Sequence, residues 1–207
     1  MKTLLLWFFL TIAAPNRVTV AVPEPTLHAV RSLSYAPSVE RELGRVAGIA
    51  ADAFDVASDS RFDSKLFVGS RSVEATTLLL WAVVYYESGL RPHIERCDCT
   101  QGDGDCDHGH ALGLPQLHAL WLQGRSAPEV CGDRHLQLWL ALSGPLLYAK
   151  TICGRSLVAA LGAYNSPAAL CAVTKYGSST YATFQKLIEK AGIVVRVQGK
   201  TWSAESR

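Results

Sequence analysis

The sequence predicts a mainly α-helical single domain. Three observations predict it: apolar residues recur at helical spacing through most of the chain, no stretch of comparable length alternates in strand fashion, and 207 residues at 49% hydrophobic content suffice for one well-filled core. The formal charge of +2 and a pI near 8.2 are mild, and no run of Lys and Arg interleaves with aromatics, so nucleic acid is not an expected partner.

Residues 1–21 carry one Lys, an apolar stretch from Leu4 to Ala14 and small residues around Thr19 and Ala21, the pattern of a signal peptide. The stretch is about half of the roughly 20 residues that a spanning helix needs. The expectation is cleavage near Val22, export to the periplasm or beyond, and no stable membrane insertion afterwards. Residues 22–37, with Pro23, Pro25 and Pro37, read as an extended lead-in to a catalytic domain over residues 38–192.

A first helix is predicted from Ser38, where Val39, Leu43, Val46, Ile49, Ala50 and Ala53 share one face. A second follows Ser72 as N-cap through "VEATTLLLWAVVYYE", apolar nearly all round and therefore central, with Gly89 and Pro92 as its stop. Residues 91–110 form a polar loop too long for a mere connector. Helical patterns return in "LPQLHALWLQG", in "DRHLQLWLALSGPLLYAKTICG" with a break at Gly144–Pro145, in "SLVAALGAYNS" and in "SSTYATFQKLIEKAG". Residues 193–207 read as a tail containing a short "IVVRV".

Cys97, Cys99, Cys106, Cys131, Cys153 and Cys171 are even in number and all lie beyond the apolar leader, which suggests disulfides in an exported chain. A loop pinned between Cys97 and Cys106 or nearby is the expected form. Zinc is the competing reading, because three of these cysteines crowd with His108 and His110 into fourteen positions, but the spacing is neither finger nor ribbon. In "DGDCDH", Asp103, Asp105 and Asp107 alternate like calcium ligands, yet Gly109 is one place late and Leu114 stands where a Glu belongs. No metal or cofactor is expected, and the protein is read as a monomer.

Glu87 ends the apolar helix and is the only acidic residue between Glu74 and Glu95. Burial disfavours a charged carboxylate and raises its pKa, which is the condition for a general acid near neutral pH. Tyr85 and Tyr86 precede it, so one can border a cleft while the other packs. His93, His118 and His135 read as surface residues, and Trp81, Trp121 and Trp139 as core.

"ESGL" at Glu87, "ALGLPQLH" around Gln116 and "LGAYNSP" around Tyr164 occur in that order over residues 72–190. Together they resemble the soluble lytic transglycosylase family, within the lysozyme-like superfamily that includes goose-type lysozymes. The resemblance implies a lysozyme-like helical domain that cleaves peptidoglycan between N-acetylmuramic acid and N-acetylglucosamine, leaving anhydro ends. It makes Glu87 acid and then base, has Ser88 line the cleft, Gln116 and Asn165 face substrate, and the Tyr164 hydroxyl lie near the carboxyl. Pro115 departs from the family's Met, and the 29-residue gap from Glu87 to Gln116 is longer than the family's. That excess leaves a hydrolytic alternative open, in which Asp98, Asp103, Asp105 or Asp107 holds a water opposite the acid. A non-catalytic wall-binding protein on the same scaffold is the alternative of another class.

Overall fold

A computed structural model describes residues 21–33, 40–59, 66–99 and 106–207. Mainly helical, it is built around α3 (Ser72–Ser88), in which every residue from Ala75 to Val84 is buried. With so little polar surface, such a helix is stable only when wrapped, and α2 (Glu40–Ser58), α1 (Glu24–Leu33) and α10 (Lys175–Lys190) wrap it. From α2, Val46, Ile49, Ala50 and Ala53 are buried as the periodicity predicts. Val39 lies outside the described residues, as does the side chain of Leu43.

The lead-in is a correction, since Glu24–Leu33 is helical. Prolines in a first turn lack only an amide that would be unpaired there, and the burial of Ala29 and Val30 anchors the helix. The C-terminal tail is another: β3 (Ile193–Gln198) and β4 (Thr201–Ser206) pair antiparallel through a turn at Gly199, where φ is +59°. Trp202 and Ala204 of β4 point inward, and Val68 pairs with the same strand just ahead of α3. The Trp202 indole donates to Gly154 O at 2.6 Å. The hairpin therefore belongs to the domain and braces the start of its central helix.

Ser72 is the first residue of α3 rather than its N-cap, which is Arg71, and Pro92 opens the short α4 (Pro92–Glu95) rather than merely ending α3. "LPQLHALWLQG" is not a helix. It forms β2 (Leu117–His118), paired with β1 (Ala111–Leu112), and a 3-10 turn over Ala119–Trp121. Positive φ at Gly113, Gln116, Gln123 and Gly124 forbids the helical ladder there. Between the left-handed turn α5 (Cys106–Gly109) and α7 (Arg134–Ala141) also lies α6 (Ala127–Gly132), which the sequence reading missed despite the capping box of Ser126 and Glu129.

The Gly144–Pro145 pair does not break its helix. Residues Leu142–Leu146 widen into a π-turn that joins α7 to α8 (Leu147–Cys153), with the Leu147 amide reaching back to Leu142 O. Proline supplies no amide, and the wider turn absorbs the gap. Then α9 (Leu157–Asn165), capped by Ser156, crosses α10 at close range. A Cβ on Gly177 would sit 2.4 Å from Val158 O and 2.7 Å from the Gly162 amide, so only glycine permits this crossing.

Candidate active site

Glu87 lies in the last turn of α3, and Gly89, at φ +57°, closes that helix with its amide on Tyr85 O. The turn delivers the carboxyl to the wall of a cleft of about 490 Å³, lined by residues from α3, α5, the β1–β2 hairpin, the π-turn and α9. Removal from water raises the Glu87 pKa from its ordinary 4.5 to about 7, against the opposing pull of Tyr176 and Asn165, which favour the ionised form. A helix C-terminus also presents carbonyl oxygens, which disfavour a negative charge nearby. The result is a carboxyl able to give and take a proton near neutrality.

Asn165 is exposed at the end of α9 and faces Glu87, as the resemblance implies. Tyr164 lines the cleft too, but its hydroxyl donates to Pro115 O at 2.7 Å. The tyrosine hydroxyl against the carboxyl is that of Tyr176, in the first turn of α10, a residue the sequence reading did not single out. Its ring stacks on Tyr164 at 6.5 Å, and Tyr86 meets it edge-on at 5.1 Å. The Tyr176 hydroxyl is buried without a well-formed hydrogen bond, and burial together with the nearby Glu87 charge pushes its pKa up. Catalytic hydrogen bonds are often this loose before substrate arrives. The signal for Tyr176 was the Gly162–Gly177 crossing, which sequence spacing alone does not reveal.

Ser88 is a correction. It is fully buried, its hydroxyl donating to Val84 O at 2.7 Å and accepting the Leu90 amide at 3.2 Å. Both bonds serve the helix end, so the side chain faces away from the cleft. Tyr85 packs on Trp81 at 5.2 Å, while Tyr86 is the partly exposed one of the pair.

The opposite wall is held by polar groups. Gln137, fully buried on α7, accepts the Leu114 amide at 2.9 Å and donates to Glu95 O at 2.9 Å and Val130 O at 3.0 Å. Gly113 must be glycine, because its Cβ would lie 2.3 Å from Gln137 Oε1. The folded-back turn carries Gln116 into the cleft lining, with its Nε2 on Gly113 O at 2.9 Å. Arg134 binds Asp52 at 2.5 Å and Glu95 at 3.0 Å, and Arg45 binds Glu95 at 3.1 Å and the Leu90 carbonyl, which fastens the segment just after Glu87 to α2 and α7.

All six cysteines are disulfide-bonded: Cys97–Cys131, Cys99–Cys106 and Cys153–Cys171. A direct Cys97–Cys106 link is thus replaced by two neighbouring ones, and these sulfurs are not zinc thiolates. Among the described residues no cluster suits a metal ion. The bonds fit an oxidising compartment, and among the described residues no helix is long and apolar enough to cross a membrane.

Cys106, Asp107 and His108 all have positive φ, and this left-handed turn brings Asp107 into the cleft lining. Asp103 and Asp105 lie outside the described residues. Asp98 is described but does not line the cleft. His118 is exposed, as its reading as a surface residue has it, and it also lines the cleft, with Nε2 3.7 Å from Asp107. Trp121, read as core, lines it as well, whereas Trp81 is fully buried. No family model, curated protein or solved structure matches this chain.

Proposed function

We propose that this chain is an exported enzyme that cleaves peptidoglycan glycan strands by lytic transglycosylation. The observation that carries the reading is a single carboxyl, Glu87, with its pKa near 7 at the wall of an open cleft and with Asn165 and Tyr176 against it. A pure wall-binding protein has no need of a carboxyl held in that state.

Protonated Glu87 donates to the oxygen joining N-acetylmuramic acid to N-acetylglucosamine, and the bond from that oxygen to the anomeric carbon breaks. The glutamate left behind removes the proton of the muramic acid's own C6 hydroxyl. Its oxygen closes on the anomeric carbon, and Glu87 regains its proton without any water entering. Tyr176 and Asn165 favour the ionised carboxyl and so support the base half of the cycle.

One observation favours a second reading: Asp107 shares the cleft with Glu87. An inverting hydrolase uses such a second carboxylate to activate a water on the far face of the sugar. Mass spectrometry of purified peptidoglycan after incubation with the mature protein separates the two. Anhydromuramic ends support transglycosylation; reducing ends alone, lost in Asp107→Asn, establish the hydrolase.

A further inference from the structure

Besides Tyr164, whose hydroxyl is held by Pro115 O, the cleft lining has one aromatic residue that the chemistry above does not use. Trp121 stands on the 3-10 turn after β2 and lines, with Pro145, the same cleft as Glu87. Its position depends on the π-turn of Leu142–Leu146. A Cβ on Gly144 would lie 3.2 Å from Trp121 Cε3, so the indole rests directly on the helix backbone at the one residue without a side chain. On another side Tyr148 packs against it, with ring centroids 5.5 Å apart. A π-turn, a glycine and a tyrosine thus converge to seat one indole, while Trp81 and Trp202 are consumed by the core.

The remaining lining says what such a surface meets. It contains no lysine or arginine among the described residues, and its ionisable carboxyl and imidazole groups are Glu87, Asp107 and His118. Anionic ligands find no fixed cation there. Gln116, Asn165 and Ser166 instead offer neutral hydrogen-bonding groups beside an apolar face. A pyranose ring has that pattern, with C–H groups on its faces and hydroxyl or acetamido groups around its edge.

We propose that Trp121 is a sugar-stacking platform, the specificity-determining residue that holds one ring of a neutral, N-acetylated glycan in the cleft. Gly144 acts as a positioning residue by leaving the space in which the indole lies. The proposal rests on the reading of the cleft as a glycan site and adds the recognition element to it.

The test titrates the full mature chain, carrying Glu87→Gln so that nothing is cleaved, with a tetramer of N-acetylglucosamine while tryptophan fluorescence is followed. A saturable change is expected, absent in Trp121→Phe because the reporting indole is gone. Calorimetry is expected to show affinity about tenfold weaker in Trp121→Ala and only modestly weaker in Trp121→Phe, which keeps a ring. Gly144→Ala, which favours helix and so guards against misfolding as the cause, displaces the indole by only a few tenths of an ångström and is expected to weaken binding by less than Trp121→Ala does. In the active background the losses appear in KM, with kcat little changed. Unchanged affinity in Trp121→Ala overturns the platform, even if the wild type cleaves peptidoglycan, and unchanged affinity in Gly144→Ala alone overturns the positioning role of Gly144. Trp121-dependent binding without any cleavage by the wild type upholds the platform and overturns the catalytic reading instead.

Discussion

The elements that carry Glu87 and the segment from Cys106 to Trp121 line one cleft but are built from different interactions. The first is a buried helix wrapped by apolar side chains, in which the two buried threonines between Ala75 and Val84 satisfy their hydroxyls within the helix, on Ser72 O and Val73 O. The second also buries Ala111, Leu114 and Leu117, but two disulfides, the buried Gln137 amide and a series of left-handed residues fix its path. Dispersed apolar packing yields gradually to mutation, whereas a few covalent and polar fasteners are lost one at a time and completely.

Breaking the first wall's chemistry without its packing has the largest expected effect. Glu87→Gln keeps the side chain's shape and removes the proton, so cleavage falls by about 10² to 10⁴-fold, measured as the rate of wall solubilisation. The same substitution has a stability signature. In the folded chain Glu87 keeps its proton up to about pH 7, but when unfolded it loses it near 4.5, so the folded state holds an advantage below 4.5 that disappears as pH rises through 7. Glutamine has no such loss. Thermal unfolding is expected to show the variant gaining on the wild type from about pH 5 to about pH 8.

Opening the second wall comes next. Replacing Cys97 and Cys131 together by serine is expected to cost about 2–4 kcal/mol in urea unfolding, with activity falling more than helical content by circular dichroism. Equal loss of both would mean that the walls are not independent. Gln137→Ala is smaller: it leaves the Leu114 amide buried without an acceptor, at about 1–3 kcal/mol, and is expected to raise KM because the turn bearing Gln116 loosens.

Tyr176→Phe has the smallest effect and the sharpest sign. The hydroxyl favours ionised Glu87, so its removal moves the carboxyl's pKa further up. The alkaline limb of the kcat/KM profile, where the acid is lost, is expected to shift to higher pH. A shift to lower pH would sink this assignment of Tyr176.

The same contrast explains what the sequence made legible. Periodicity located α3 and α2 with their buried faces, and an isolated glutamate after an apolar run pointed to the one carboxyl, among the described residues, whose pKa is raised toward neutrality. The second wall was misread because its order is not periodic. "LPQLHALWLQG" has helical spacing, but Gly113 and Gln116 take left-handed φ and the Leu114 amide between them meets Gln137, more than twenty residues away in sequence. Tyr176 was missed for a related reason, since its place against Glu87 comes from two glycines at a helix crossing. Ser88 was carried over from a motif, while its burial follows from the needs of a helix end. Within residues 22–37 the prolines suggested extension, yet Pro23 and Pro25 fall where a helix tolerates them.

The bond from Tyr164 to Pro115 reaches beyond local geometry. It is a strut between the two walls, formed before any substrate is present, so the aperture of the cleft is set in the resting molecule. Widening it means breaking a buried hydrogen bond, a step of about 1 kcal/mol or more rather than a free swing. If the proposed glycan is the ligand, the part of its affinity that would go into setting this contact is already spent in the resting molecule.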